Sequence, residues 1–235
     1  ATTSAHAAPR EHWVPGWSGV PIGYEPAIRD GLGRPFKDET VRQELHVGVT
    51  GERLRLRLTN ELSDTPLRIG AVSIMRLDAA GKPVTGALRH LSFHGARSAR
   101  IPARAPMQSD AIDYPVKAGE RLAVSIYFPD EVAPPAHAQM VDIATGDMTV
   151  AVELPNPRRA RASGIVSGLE VSGTRATKIL VTFGDSITEG AGASRAMSWP
   201  DQLGRLLAAD PKGRCWAVGN VGISGNRPLS QGAGP

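Results

Sequence analysis

The chain has 235 residues, 41% of them hydrophobic and 21% charged, with a formal net charge of +4. That composition excludes a wholly disordered chain, and its 26 glycines and 19 prolines follow no short period, which excludes collagen and implies many turns. No stretch reaches the ~18 apolar residues of a membrane helix, and the basic residues are scattered arginines without a basic block or zinc-finger spacing. Neither a membrane span nor a nucleic-acid partner is therefore expected.

Residues 1–9 (ATTSAHAAP) are small and polar. They read either as a mature terminus left after signal cleavage or as a tag remnant. Trp13 and Trp17 follow, with two uses open: packing an N-terminal arm against the body, or stacking on sugar rings. Residues 41–49 alternate in part, and Gly51 makes a turn. Residues 53–58 then run Arg-Leu-Arg-Leu-Arg-Leu. A period of two predicts a strand with Leu54, Leu56 and Leu58 inward and Arg53, Arg55 and Arg57 on a solvated face. Further strands are expected at 67–77, 111–116, 121–128, 138–143 and 164–171, punctuated by Gly and Pro. Residues 129–135 and 155–163 read as surface loops. With no long amphipathic helix between residues 40 and 175, an antiparallel β-sandwich over 1–175 is the economical architecture.

The pattern changes near residue 176. Residues 178–183 (KILVTF) form a short apolar run suited to a parallel strand covered on both faces. Ser198 is the expected N-cap of a helix, with Pro200 in its first turn and Asp201 at the capping-box position. Trp199, Leu203, Leu206 and Leu207 make its apolar stripe, and residues 210–213 stop it. A second strand is expected at 215–218, before a loop containing Asn220. This is one βαβ unit, too small for a doubly wound domain by itself. Residues 176–235 are accordingly expected to be the first part of an α/β domain. The rest would come from a missing C-terminal segment or from a separate chain.

Ser186 is the sharpest chemical candidate, because it follows a buried strand, where a side chain is presented at the carboxyl end of a sheet. The surrounding Gly184-Asp185-Ser186-Ile187-Thr188-Glu189-Gly190 is not a Gly-x-Ser-x-Gly elbow, since Thr188 takes the last glycine's place, and no P-loop lysine follows. Position alone leaves Ser186 either a nucleophile or a turn-capping serine.

The run VTFGDSITEG, residues 181–190, resembles the first block of the SGNH, or GDSL, hydrolases. GNVGISGNR, residues 219–227, resembles their second block, and the helix opening with Trp199-Pro200 lies between them at a matching spacing. More loosely, residues 40–43, 53–60 and 66–70 resemble the β-rich N-terminal domain of a bacterial secreted branch of that family. The resemblance implies a flavodoxin-like α/β domain after a jelly-roll-like sandwich, and a secreted or periplasmic serine esterase without metal or organic cofactor. It implies Ser186 as nucleophile, with the backbone N–H groups of Ser186 and Gly225 in an oxyanion hole. Asp185 is expected to support the loop rather than to act as a triad acid. Asn220 and Asn226 either bind substrate or cap their loop. Arg227 meets either an anionic or sugar substrate or a surface ion pair.

The chain also departs from the family. A serine needs a base, and the family's aspartate–histidine pair and its oxyanion asparagine find no match after residue 227. The six histidines, His6, His12, His46, His90, His94 and His137, all lie upstream. The 235 residues alone are therefore expected to have little hydrolase activity. His90 and His94 are four apart but lack accompanying carboxylates or cysteines, so ordinary polar roles are expected rather than zinc binding. The lone Cys215 cannot form an internal disulfide, and reads as a small core residue beside Trp216.

The expected function is hydrolysis of carboxylic esters, acetylated carbohydrates among them, through an acyl-enzyme. The rival reading is a carbohydrate- or surface-binding module with a non-catalytic hydrolase-like segment.

Overall fold

The Arg-Leu alternation builds the strand on which the first sheet is assembled. Leu54, Leu56 and Leu58 of β3 (Gly51–Thr59) are fully buried, while the arginines between them point outward. The computed structural model describes residues 11–20, 35–133, 140–162, 165–173, 177–193, 198–213, 215–227 and 229. On the outer face each arginine of β3 finds an acid: Arg53 pairs with Glu11 and Asp113, Arg55 with Glu170, and Arg57 with Glu61. β3 pairs antiparallel with β13 (Val166–Gly173), β8 (Pro106–Gln108) and β9 (Ile112–Val116), and β13 pairs in turn with β1 (His12–Ser18). That makes a sheet of five strands.

A second sheet has six strands in the order β12 (Arg158–Arg161), β11 (Met140–Thr145), β2 (Glu39–His46), β10 (Arg121–Phe128), β5 (Ala71–Leu77) and β6 (Arg89–Leu91), all antiparallel. The inward residues of both sheets share one apolar core. Val14, Leu56 and Leu169 come from the first sheet, and Val41, Leu45, Val124, Ile126 and Ile74 from the second. The region is thus β-rich and antiparallel, in sandwich form. A short pair, β4 (Leu67–Ile69) with β7 (Ala99–Ile101), sits beside it.

Residues 146–152 strap the outer face of the second sheet. The Thr40 hydroxyl donates to the Gly146 carbonyl, and Met148 N–H donates to Thr40. The Ser73 hydroxyl donates to the Thr149 carbonyl, and the Arg42 guanidinium donates to the carbonyls of Ala151 and Val152. Arg42 Nε reaches Ser125 on β10.

Several expectations are corrected. The run 67–77 is two strands in two sheets, broken at Gly70, whose N–H bonds the Tyr127 carbonyl. Residues 158–161, read as loop, form edge strand β12; an edge strand needs no apolar alternation, and here Arg159 and Arg158 pair with Asp142 and Glu39. The N-terminal arm is a sheet strand over its described part, with Trp17 buried and Trp13 stacked on Arg55, 4.3 Å from the ring centroid. Residues 1–10, 134–139, 163 and 164 lie outside the described residues and hold His6, His137 and parts of the expected loops.

Past residue 177 two strands run parallel: β14 (Lys178–Gly184) and β15 (Trp216–Gly222). Between them come α1 (Ser186–Glu189) and α2 (Trp199–Ala209). α2 opens with the capping box, Ser198 accepting from Asp201 N–H and the Asp201 carboxylate accepting from Ser198 N–H at 3.0 Å. Its inward face is not the leucine stripe. Trp199 and Leu206 are 45% and 69% exposed, whereas Pro200 and Gly204 are buried. The helix approaches β15 by its smallest residue, since a Cβ on Gly204 would lie 3.8 Å from Val218. Nor is β14 covered on both faces: Ile179, Val181 and Phe183 are 50%, 60% and 65% exposed. Cys215 is half-buried rather than core. β15 leans on the sandwich through β1, with Ala217 in the common core and the Ser18 hydroxyl donating to the Asn220 carbonyl at 3.2 Å. No helix among the described residues is long and apolar enough to cross a membrane.

Candidate active site

Parallel pairing sets Gly184 beside Gly222, so both strands deliver their carboxyl ends to the same place. From β14 the chain enters α1 directly. Asp185 is the N-cap, its Oδ1 accepting from Ile187 N–H at 3.0 Å. Gly190, with φ +103°, closes the turn by donating to the Ser186 carbonyl. Ser186 is half-buried at the first position of this one-turn helix, and its hydroxyl has no hydrogen-bond partner among the described residues.

From β15 the chain enters a turn over residues 223–226, closed by Asn226 N–H donating to the Ile223 carbonyl at 3.0 Å. Gly225 has φ +82° at the second central position, the requirement of a type II turn. The turn is stitched to the Ser186 loop at both ends. Ile223 N–H donates to the Gly184 carbonyl at 3.0 Å, and the Asn226 side-chain amide reaches the same oxygen at 3.4 Å. Ser224 donates to the Glu189 carboxylate through its N–H, at 2.8 Å, and through its hydroxyl. A Cβ on Gly222 would lie 2.4 Å from the Glu189 nitrogen, so glycine alone permits this approach of the two segments.

Asn220 lies within β15, not in the loop expected of it. Its Oδ1 accepts from Gly222 N–H at 3.0 Å, and its Nδ2 donates to the Thr188 carbonyl at 2.9 Å. The Nδ2 bond holds strand to helix, while the Oδ1 bond is made within β15 itself. Thr188 also accepts from the Trp199 indole at 3.3 Å, which ties α2 to α1. Arg227 is exposed.

Under the site, α2 meets the sandwich. A small cavity there is lined by Trp17, His46, Pro200, Asp201 and Arg205, among others. His46 is only 8% exposed, neither ring nitrogen makes a hydrogen bond among the described residues, and Nε2 stands 3.9 Å from the Glu44 carboxylate. Burial, reinforced by Arg205 and Arg121, pulls its pKa down to about 4. Burial pushes the Asp201 carboxyl the other way, above its ordinary value, against the opposing hydrogen bonds of Ser198.

His90 and His94 are separate from all of this. His90 sits in β6, and burial lowers its pKa; His94 occupies a left-handed turn position, φ 52°. Among the described residues no three His, Cys, Asp or Glu side chains gather as metal ligands.

The structure therefore brings Asp185, Ser186, Asn220, Gly225 and Asn226 to one end of the parallel pair. Glu189 and Ser224 join them unforeseen. Glu189 stood in the quoted loop, but an acidic side chain gives no sign in sequence that tertiary contacts will bury it. No known protein-family model matches this chain, and no curated protein matches it significantly.

Proposed function

We propose that this chain carries the nucleophile and part of the oxyanion hole of a serine esterase of the SGNH type. The observation that carries the reading is the turn 223–226, stitched against the Ser186 loop with the Gly225 N–H left without an acceptor among the described residues. A free hydroxyl and a free backbone donor at the end of parallel strands are what acyl transfer requires.

In this mechanism Ser186 Oγ attacks the ester carbonyl carbon and gives its proton to a base. The carbonyl oxygen becomes an oxyanion and accepts from the N–H groups of Ser186 and Gly225. Collapse expels the alcohol, which takes the proton from the base, and water then hydrolyses the acyl-enzyme by the same steps in reverse. In this reading the base and the remaining oxyanion donor are supplied by a further segment or a second subunit. No metal or organic cofactor enters any step. The substrates in this reading are carboxylic esters, acetylated carbohydrates among them, met outside the cell, with the sandwich as an accessory domain.

The test is turnover of 4-nitrophenyl acetate and acetylated xylan by the protein isolated from its source, with any accompanying subunit. Ser186→Ala is expected to lower kcat at least 1,000-fold, within the loss known for triad members, with unchanged circular dichroism. Equal turnover in the variant removes the assignment.

A further inference from the structure

We propose that Glu189 is a positioning residue that aims the Gly225 N–H at the oxyanion; this rests on the esterase reading above. Four backbone donors lie in the turn 223–226. Ile223 N–H is taken by the Gly184 carbonyl, Asn226 N–H by the Ile223 carbonyl, and Ser224 N–H by the Glu189 carboxylate. Among the described residues, Gly225 N–H is the one without an acceptor. A type II turn does not use that donor in its own closing bond, and its direction depends on which way the central peptide between Ser224 and Gly225 is rotated. The φ of +82° at Gly225 chooses one rotation. Glu189 holds it, because its carboxylate grips the residue on the other side of that peptide by two donors at once.

The grip is stiff for two reasons. Glu189 is 4% exposed, so its bonds are little weakened by water. The two donors of Ser224 also converge on one carboxylate oxygen, which fixes the residue in rotation as well as in position. Glu189 also belongs to the same one-turn helix as Ser186, with Glu189 N–H bonded to the Asp185 carbonyl at 2.9 Å. Nucleophile and oxyanion donor are thereby referred to one short rigid piece. A shift of Glu189 moves the donor relative to Ser186 without touching the substrate, so the loss falls on the transition state and appears in kcat.

The experiment compares Glu189→Gln, Glu189→Asp and Glu189→Ala by two readouts on the same preparation. The first is steady-state hydrolysis of 4-nitrophenyl acetate. Gln keeps the length and one acceptor oxygen; Asp keeps the charge but withdraws it by a methylene. Positioning predicts kcat within about fivefold of wild type for Gln and at least tenfold down for Asp and Ala, set against the 10²–10³ that a whole oxyanion donor is worth, with KM within twofold throughout. The second is amide hydrogen exchange. Ser224 is expected to exchange at least tenfold faster in Asp and Ala, with β10 amides unchanged. Asp retaining more activity than Gln, or Ser224 exchange unaltered in Ala, overturns the proposal. A wild type with no Ser186-dependent turnover overturns the esterase reading instead, and the exchange readout then decides by itself whether Glu189 holds the turn.

Discussion

The sandwich and the parallel pair that follows it solve burial in opposite ways. In the sandwich, two sheets face each other, and residues such as Leu56, Leu169 and Ile126 vanish into a common core. In the pair, β15 is covered by β1 on one side and α2 on the other, but β14 keeps three large apolar side chains in water. The first region stands on apolar area. The second stands on hydrogen bonds that tie short segments together: Asn220 to Thr188, Glu189 to Ser224, Ser198 to Asp201. Chemistry is proposed where the polar ties are, and rigidity lies next door.

The largest expected effect tests that contrast directly. Leu56→Ala, at a fully buried site, is expected to cost about 2–5 kcal/mol in urea unfolding, whereas Val181→Ala on the open face of β14 should cost about 0.5 kcal/mol or less. Comparable losses would mean that Val181 is covered in solution.

The second prediction addresses the junction. Folded His46, with its pKa near 4, stays neutral where the unfolded chain, near 6.5, takes up a proton. The unfolded state thus binds more protons between those values, so this contribution is complete above pH 6.5 and is lost as pH falls toward 4. Its full size is on the order of 3 kcal/mol. Arg205 and Arg121 face the ring and oppose its charging; Glu44, 3.9 Å away, favours it. Asp201 across the cavity has the reverse sign, because its raised pKa lets the folded state gain a proton first as pH falls. Urea unfolding at pH 7 and pH 5 is expected to show a smaller decline for His46→Gln than for wild type. An identical decline would place the acid sensitivity elsewhere.

The smallest effect is local. Ser198→Ala removes one half of the capping box and should cost α2 about 1 kcal/mol. Amide exchange read along residues 202–206 should quicken about fivefold, while β10 is unmoved.

How much of this was legible in the sequence follows the same divide. β3 announced itself because alternate leucines meet a core and alternate arginines meet water. β10 and β13 were legible as short apolar runs bounded by Gly and Pro, and the cap of α2 because Ser198 and Asp201 act within one turn. The three-residue strands β6, β7 and β8, and the basic edge strand β12, carry no period to detect; neighbours impose them. The stripe on α2 misled because Gly204, having no side chain, does not register as a contact residue although it permits the closest approach. Ser186 was singled out by its position after β14, while its role as nucleophile and the choice of Gly225 came from resemblance to blocks of a family. Glu189 and Ser224, 35 residues apart, share a bond that exists only once β14 and β15 lie side by side.

The strap over the second sheet has a consequence for folding fidelity. Its ties come from Thr40 and Arg42 on β2 and Ser73 on β5, with Arg42 braced by Ser125 on β10. A slip of one residue in any of these strands would turn its polar side chains into the core and send its apolar ones outward. Every tie on that strand would then be lost together. The strap thus works as a register lock, closing only over a correctly threaded sheet.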